Sequence, residues 1–177
     1  MAHYLGDKPY DFAVVVFDGP ETADEAYDMM KTREERTGMT IQEAAVFNRK
    51  PNGKIKLKNK GFIAGWKGGT IGLGVGLVLG GPVGGALVGS LIGFGRGSER
   101  RELRDLVNER LGLEQSALAI VVENGNREEI AAALTAMGGD AVYTELQGAS
   151  LAKLQELASD DEVTAEAAEA FDDDDSD

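Results

Sequence analysis

FAVVVFDGP (Phe12–Pro20) and ALAIVVENG (Ala117–Gly125) are the two stretches that decide the fold of this 177-residue chain. Each is a short run of aliphatic residues closed by turn formers, Asp18-Gly19-Pro20 in one case and Asn124-Gly125 in the other. An unbroken apolar run of this length, bounded by glycine, reads as a strand buried on both faces. Val14–Gly19 aligns with Ile120–Gly125 at an offset of 106, so the chain repeats itself.

The repeat extends outward from these strands. Ala23, Ala26, Tyr27 and Met30 recur at helical spacing, with Pro20 near the start and Gly38 past the end. Ile130, Ala133, Leu134 and Met137 match them one residue further out of register, and Gly138-Gly139 stops that helix. Ile41–Phe47 and Ala141–Leu146 read as the closing strands of the two halves. Two strand–helix–strand units predict an α+β fold, a ferredoxin-like two-fold repeat with both helices on one face of a four-stranded sheet. Right-handed crossovers set the two first strands side by side in its centre. Lys50-Pro51-Asn52-Gly53 makes a turn, and Lys54–Lys58 returns as a hairpin strand with lysines on one face and Ile55 and Leu57 on the other.

Between the halves lies GGTIGLGVGLVLGGPVGGALVGSLIGFG, Gly68–Gly95, which has 28 residues, 12 glycines and no charge. Gly68, Gly72, Gly76, Gly80 and Gly84 form one four-residue series; Gly81, Gly85, Gly89, Gly93 and Gly97 form a second. Linkers interleave glycine with serine rather than with branched aliphatics. Four-residue spacing instead lays a smooth strip along a helix, against which another backbone can pack closely. Pro82 breaks the run into two arms, so a helical hairpin is expected over 62–97, with these ten glycines as its self-association surface. Twelve glycines cost about 12 kcal/mol of helix propensity against alanine, so the hairpin needs a partner surface or a bilayer. A continuous helix would reach about 42 Å, but each arm only about 21 Å, too short to cross a hydrocarbon core alone. A single span would also put the two halves of one sheet on opposite sides of a membrane, which disfavours it.

Charge is segregated along the chain. Its net charge is −13, but residues 159–177 hold ten acids and no base, which leaves −3 for the rest. That tail reads as a disordered, solvating appendage. Residues 44–98 hold eight bases and no acid. Arg49, Lys50, Lys54, Lys56, Lys58, Lys60 and Lys67 form a candidate surface for anionic lipid headgroups; the plainer alternative is a solvated edge strand protected from aggregation by its lysines. Nucleic acid is not expected as a partner, because the patch lacks interleaved aromatics and the acidic tail competes with phosphate.

No reaction is legible. The chain has no cysteine, which excludes disulfides and thiol chemistry and fits a reducing compartment. The first residues lack the pattern of a signal peptide. His3 is the only histidine, so a histidine triad or metal site is not expected. Asp18-Gly19 and Asn124-Gly125 sit at equivalent loops and read as turn residues. Asp172–Asp175 lacks EF-hand spacing. No enzyme activity, cofactor, metal site or small-molecule substrate is expected.

FAVVVFDGPETADEAYDMM, EAAVFNRKPNGKIKLK, the glycine run and SALAIVVENGNREEIAAALTAMGGDAVYTEL, in this order, resemble the bacterial domain-of-unknown-function family 1269. The resemblance covers roughly residues 11–147. Members are commonly labelled predicted membrane proteins, and related glycine-zipper proteins include general-stress proteins; the family brings no catalytic residues with it. The expected organisation is a flexible N-terminus (1–10), a first half with its lysine hairpin (11–61), the glycine hairpin (62–97), an amphipathic helix from Ser98 plus the second half (98–147), a short helix (148–158) and the tail (159–177). In the helix from Ser98, Leu103, Leu106, Val107 and Leu111 face inward and Gly112 is the stop. The functional expectation is a non-enzymatic homo-oligomer that docks on or inserts into the cytoplasmic side of the cell membrane, in envelope or stress physiology. The alternative is a cytoplasmic ligand-binding or regulatory module whose hairpin packs only against protein.

Overall fold

The computed structural model describes residues 9–53, 55–59, 109–123 and 125–147, with the single positions Asp105, Ala152 and Glu156. The glycine-rich run, the tail and most of the helix expected from Ser98 lie outside the described residues.

Among the described residues, five strands and two helices build an α+β fold: β1 (Pro9–Asp18), α1 (Thr22–Arg36), β2 (Thr40–Arg49), β3 (Ile55–Asn59), β4 (Gln115–Glu123), α2 (Arg127–Ala136) and β5 (Asp140–Gln147). The sheet is antiparallel throughout, in the order β3-β2-β4-β1-β5. β1 and β4 are neighbours in its interior, paired from Asp11↔Val122 to Asp18↔Gln115. β2 takes the other side of β4, β5 the other side of β1, and β3 extends β2 as an outer hairpin strand. β1 starts at Pro9, so the N-terminal segment expected to be flexible gives its last two residues to the sheet. The described part of β3 is Ile55–Asn59, and Lys54, the expected first residue of the strand, lies outside the described residues.

The apolar runs account for the core. Ala13, Val15 and Phe17 of β1 join Leu118, Ile120 and Val122 of β4 beneath Ala23, Ala26 and Met30 of α1 and Ile130 and Leu134 of α2. These positions correct the repeat. An offset of 106 matches Val15 with Val121, which faces the other side of the sheet; an offset of 107 matches Val15 with Val122, and it is the helix offset too. Side chains alternate with a period of two, so a slip of one residue exchanges the faces. A bulge between Ile41 and Glu43 does the same work in β2: it turns Ile41 toward the helix-side core while Glu43 is buried on the opposite face.

Local signals set the helix ends. Asn126 caps α2 by accepting from the Glu128 and Glu129 N–H groups, and Gly138, at φ +82°, ends the connection to β5. α1 has no side-chain cap at Glu21, but acids in its first turn and Arg33 and Arg36 in its last oppose the helix dipole favourably. Ser116 joins the halves. Its buried hydroxyl accepts from the Ala23 N–H (2.9 Å) and donates to the Gly19 carbonyl (2.8 Å).

Two predictions come from this packing. A Cβ at Gly139 would lie 2.5 Å from Val15 Cγ1, 2.7 Å from the Leu134 carbonyl oxygen and 2.8 Å from Phe17 Cε1, whereas one at Gly38 would meet nothing within 4 Å. Gly139→Ala should lower stability by about 1–3 kcal/mol and Gly38→Ala should raise it by about 0.4–1 kcal/mol, both read from urea unfolding. The second concerns Glu34. Burial pushes its carboxyl up, but hydrogen bonds from Lys31 and from the Ile41 N–H (2.6 Å), with the Lys31 charge, outweigh burial and leave its pKa below the ordinary value. A depressed folded pKa contributes stability that is present above the unfolded value near 4.3 and is lost as pH falls through the folded one. Glu34→Gln should therefore flatten the stability profile below about pH 4.5, measured by urea midpoints between pH 3 and 7.

Candidate functional site

Two places on the described surface were candidates from the sequence, the basic strip and the paired loops, and the structure adds a third, the second face of the sheet. The basic strip is divided. Arg49 pairs across from Ile55 and Lys56 across from Asn48, so Arg49 and Lys56 belong to opposite faces of the β2–β3 ribbon. Arg49 is also engaged internally: its Nε donates to the Leu111 carbonyl (2.5 Å) and its Nη1 to the Gly53 carbonyl (2.9 Å). The guanidinium fork thus clamps the hairpin turn to the segment entering β4, a task for which a lysine has the wrong geometry. Lys50 stands at the same turn, where its carbonyl accepts from the Gly53 N–H (2.9 Å). Lys58 is opposite Val46 in register, while Lys54, Lys60 and Lys67 lie outside the described residues. So do Gly68, Gly72, Gly76, Gly80, Gly81, Gly84, Gly85, Gly89, Gly93 and Gly97.

At the first of the paired loops the side chains hold the fold. Asp18 Oδ1 accepts from Gln115 Nε2 (2.8 Å), the Gly19 N–H donates to the Glu114 carbonyl (2.8 Å), and the Asp18 carbonyl accepts from Thr22 Oγ1 (2.6 Å). Gly19 sits at φ +99°, where glycine is favoured. An open cleft lies over Asp18–Pro20 and Gly112–Gln115, with Leu113 exposed on its rim. Asn124 is not among the described residues. No group of three His, Asp or Glu side chains that could hold a metal ion occurs among the described residues.

The third place was not foreseen as a site. α1 and α2 pack on one face of the sheet, yet the other face is closed as well: Phe12, Val14, Val16, Phe47, Ala119 and Val121 are each at most 2% exposed. Glu43 is buried among the residues of this face at 2% exposure. Tyr10, also buried on it, has its hydroxyl pKa pushed up by desolvation and by the Glu123 charge. The sequence signal was present, since continuous apolar runs demand cover on both sides, but the expectation of helices on one face left the second without an owner.

The comparisons with known proteins meet the second half of this architecture. The family model described as "Protein of unknown function (DUF1269)" matches residues 65–159, more than half of the chain. The chain belongs to the DUF1269 family. No curated protein and no solved structure matches it. The matched stretch starts later than the resemblance read from the sequence, and it takes in β4, α2 and β5 but not the first half. β4 and β5 do not touch in the sheet, because β1 lies between them. The DUF1269 stretch of this protein therefore needs strands from outside it to complete its sheet. Among the described residues, no helix is long and apolar enough to cross a membrane.

The division of the basic strip is testable. Arg49→Lys removes a fork that holds two carbonyls and should cost about 1–2 kcal/mol, whereas Lys56→Gln should change stability by less than about 0.5 kcal/mol; urea unfolding of both variants is the check.

Proposed function

We propose that this DUF1269 protein is a non-enzymatic association module: a ferredoxin-like α+β domain that carries a glycine-zipper helical hairpin at 62–97, self-associates through it and packs it against protein. The observation that supports this reading best is the closure of the sheet on both faces. A sheet buried on each side leaves no open platform for a small molecule, so the business of the chain shifts to the glycine series outside the sheet. The ferredoxin-like label is supported by the strand order. β1 and β2 run in the same direction with β4 between them, and β4 and β5 run in the same direction with β1 between them. The hairpin label rests on the two glycine series and Pro82.

A second reading sets the same hairpin against lipid on the cytoplasmic side of the cell membrane, in envelope or stress physiology. What favours it is the charge pattern: residues 44–98, which contain the run, hold eight bases and no acid. Each basic residue close to an anionic surface contributes about 1 kcal/mol of attraction. The engagement of Arg49 with two carbonyls draws one residue out of that collar and weighs toward the protein-packed reading.

Carbonate extraction of native membranes, followed by mass measurement of the full-length protein, separates the two. The expected result is recovery in the soluble fraction as an oligomer of defined mass that Gly76→Leu or Gly89→Leu reduces to a monomer. Retention in the extracted membranes supports the lipid reading. A soluble monomer indifferent to both substitutions overturns self-association.

A further inference from the structure

We propose that the second face of the sheet is the docking floor for the glycine-rich segment of the same chain, residues 62–97, which closes the domain as a third layer opposite α1 and α2. The inference rests on the hairpin reading given above, and it adds the surface on which the hairpin sits.

The floor is buried within one chain. Phe12, Val14, Val16, Phe47, Ala119 and Val121 are as inaccessible as the helix-covered core, at no more than 2% exposure, although both described helices lie on the other side. Its centre is low. Ala119 of β4 is flanked by Ala45 of β2 and Val14 of β1, and the next row is Phe47, Ala117 and Val16. Small side chains here let a helix with a glycine strip come close to the sheet, and that close approach is what can offset the poor helix propensity of the run.

The dimensions agree. From Tyr10 to Val16 the face runs about 20 Å along β1, and from β3 to β5 it spans about 19 Å across the strands. Two arms of 14 residues, Gly68–Gly81 and Pro82–Gly95, are each about 21 Å long as helices and together cover a similar width at an interaxial distance of about 8–10 Å. Both ends of the connection also lie at one edge. The chain leaves the sheet at Asn59, opposite Ala45, and returns through Leu111, which is buried and whose carbonyl is held by Arg49 on this same face. Ala45 and Arg49 are about 14 Å apart along β2.

Two other segments outside the described residues, 1–8 and 159–177, fit poorly, and the crosslink below separates the glycine-rich run from 98–108 and 148–158. Residues 1–8 span at most about 28 Å fully extended, enough for one strip of the floor. Residues 159–177 carry ten acids, which desolvation keeps off an apolar surface.

The test is photo-crosslinking in the full-length chain, with benzoylphenylalanine in place of Phe47 and, separately, of Phe12. The expected result is a dominant link to a peptide within 62–97, with no hybrid product when light and heavy isotope-labelled chains are mixed. Hybrid products, lipid adducts, or dominant links to residues 1–8, 98–108 or 148–177 each overturn the proposal. Should either replacement unfold the chain, hydroxyl-radical footprinting without it decides: the double substitution Leu77→Asp and Leu87→Asp should raise oxidation of Phe12 and Phe47 at least tenfold and leave Phe17 unchanged. No rise at Phe12 and Phe47 overturns the proposal, as does an equal rise at Phe17. Intramolecular docking is read here from the link or the footprint and self-association from the mass, so either can fail while the other stands.

Discussion

The antiparallel pairing of β1 with β4 is the contact on which the rest of the molecule depends. It joins Asp11–Asp18 to Gln115–Val122 without a register break. Each remaining strand reaches the sheet through one of these two, β2 and then β3 through β4, and β5 through β1. Neither half of the chain is a sheet without the other: β1 and β2 are joined by α1 but separated by β4, and β4 and β5 are joined by α2 but separated by β1. The Ser116 hydroxyl reinforces this dependence, because the β4 side chain takes up the Ala23 N–H at the start of α1 and the Gly19 carbonyl just before it. A half-formed protein has these groups facing water; only β4 removes them from it at no hydrogen-bonding loss.

The same pairing fixes which side chain faces which layer. With β1 and β4 in register, Ala13, Val15 and Phe17 stand with Leu118, Ile120 and Val122 under the helices, and the alternate residues form the second face. Central strands hydrogen-bonded on both edges and apolar on both faces have no tolerance for water at either surface. Burying one Val or Phe side chain contributes about 1.5–3 kcal/mol, so Phe12, Val14, Val16, Phe47 and Val121 on the second face represent a driving force comparable with the net stability of many domains. That is why a cover on this face is as much a requirement of the fold as α1 and α2 are on the other.

The sequence carried the existence and type of each described element, because apolar runs and helical spacing are local signals. Strand ends were harder. β1 extends to Pro9 and β2 to Arg49, since ladder hydrogen bonds continue through Pro9, Tyr10, Asp11, Asn48 and Arg49 after the apolar pattern has stopped; proline is accommodated at the first position of a strand. The offset of the repeat was off by one in the strands, because Val-Val-Val matches Ile-Val-Val equally well in two registers and only the side facing the helices distinguishes them. Polar residues with distant partners left no local trace. Ser116 bonds the backbone of Ala23 across 93 positions, and Arg49 bonds that of Leu111 across 62. The basic strip illustrates the converse error: Arg49 and Lys56 look like neighbours in the sequence, but the alternation of the β2–β3 ribbon sends them to opposite faces.

The position of the glycine-rich insertion follows from this topology. Every connection within a half is constrained, because α1 and α2 must return the chain by a right-handed crossover of limited length. The connection between β3 and β4 has no such duty. It leaves from an outer strand and enters a central one, and β4 must in any case find β1 and β2 by long-range pairing. Closing a longer loop there costs only about 0.6 kcal/mol per doubling of its length, so an insertion is thermodynamically cheap at this point. It carries a kinetic consequence instead. Until β4 docks, β1 and β2 have exposed edges and two apolar faces, a state prone to pairing with other chains. Among the described residues β3 is the outer strand on this side of the sheet, and it carries Lys56 across from Asn48.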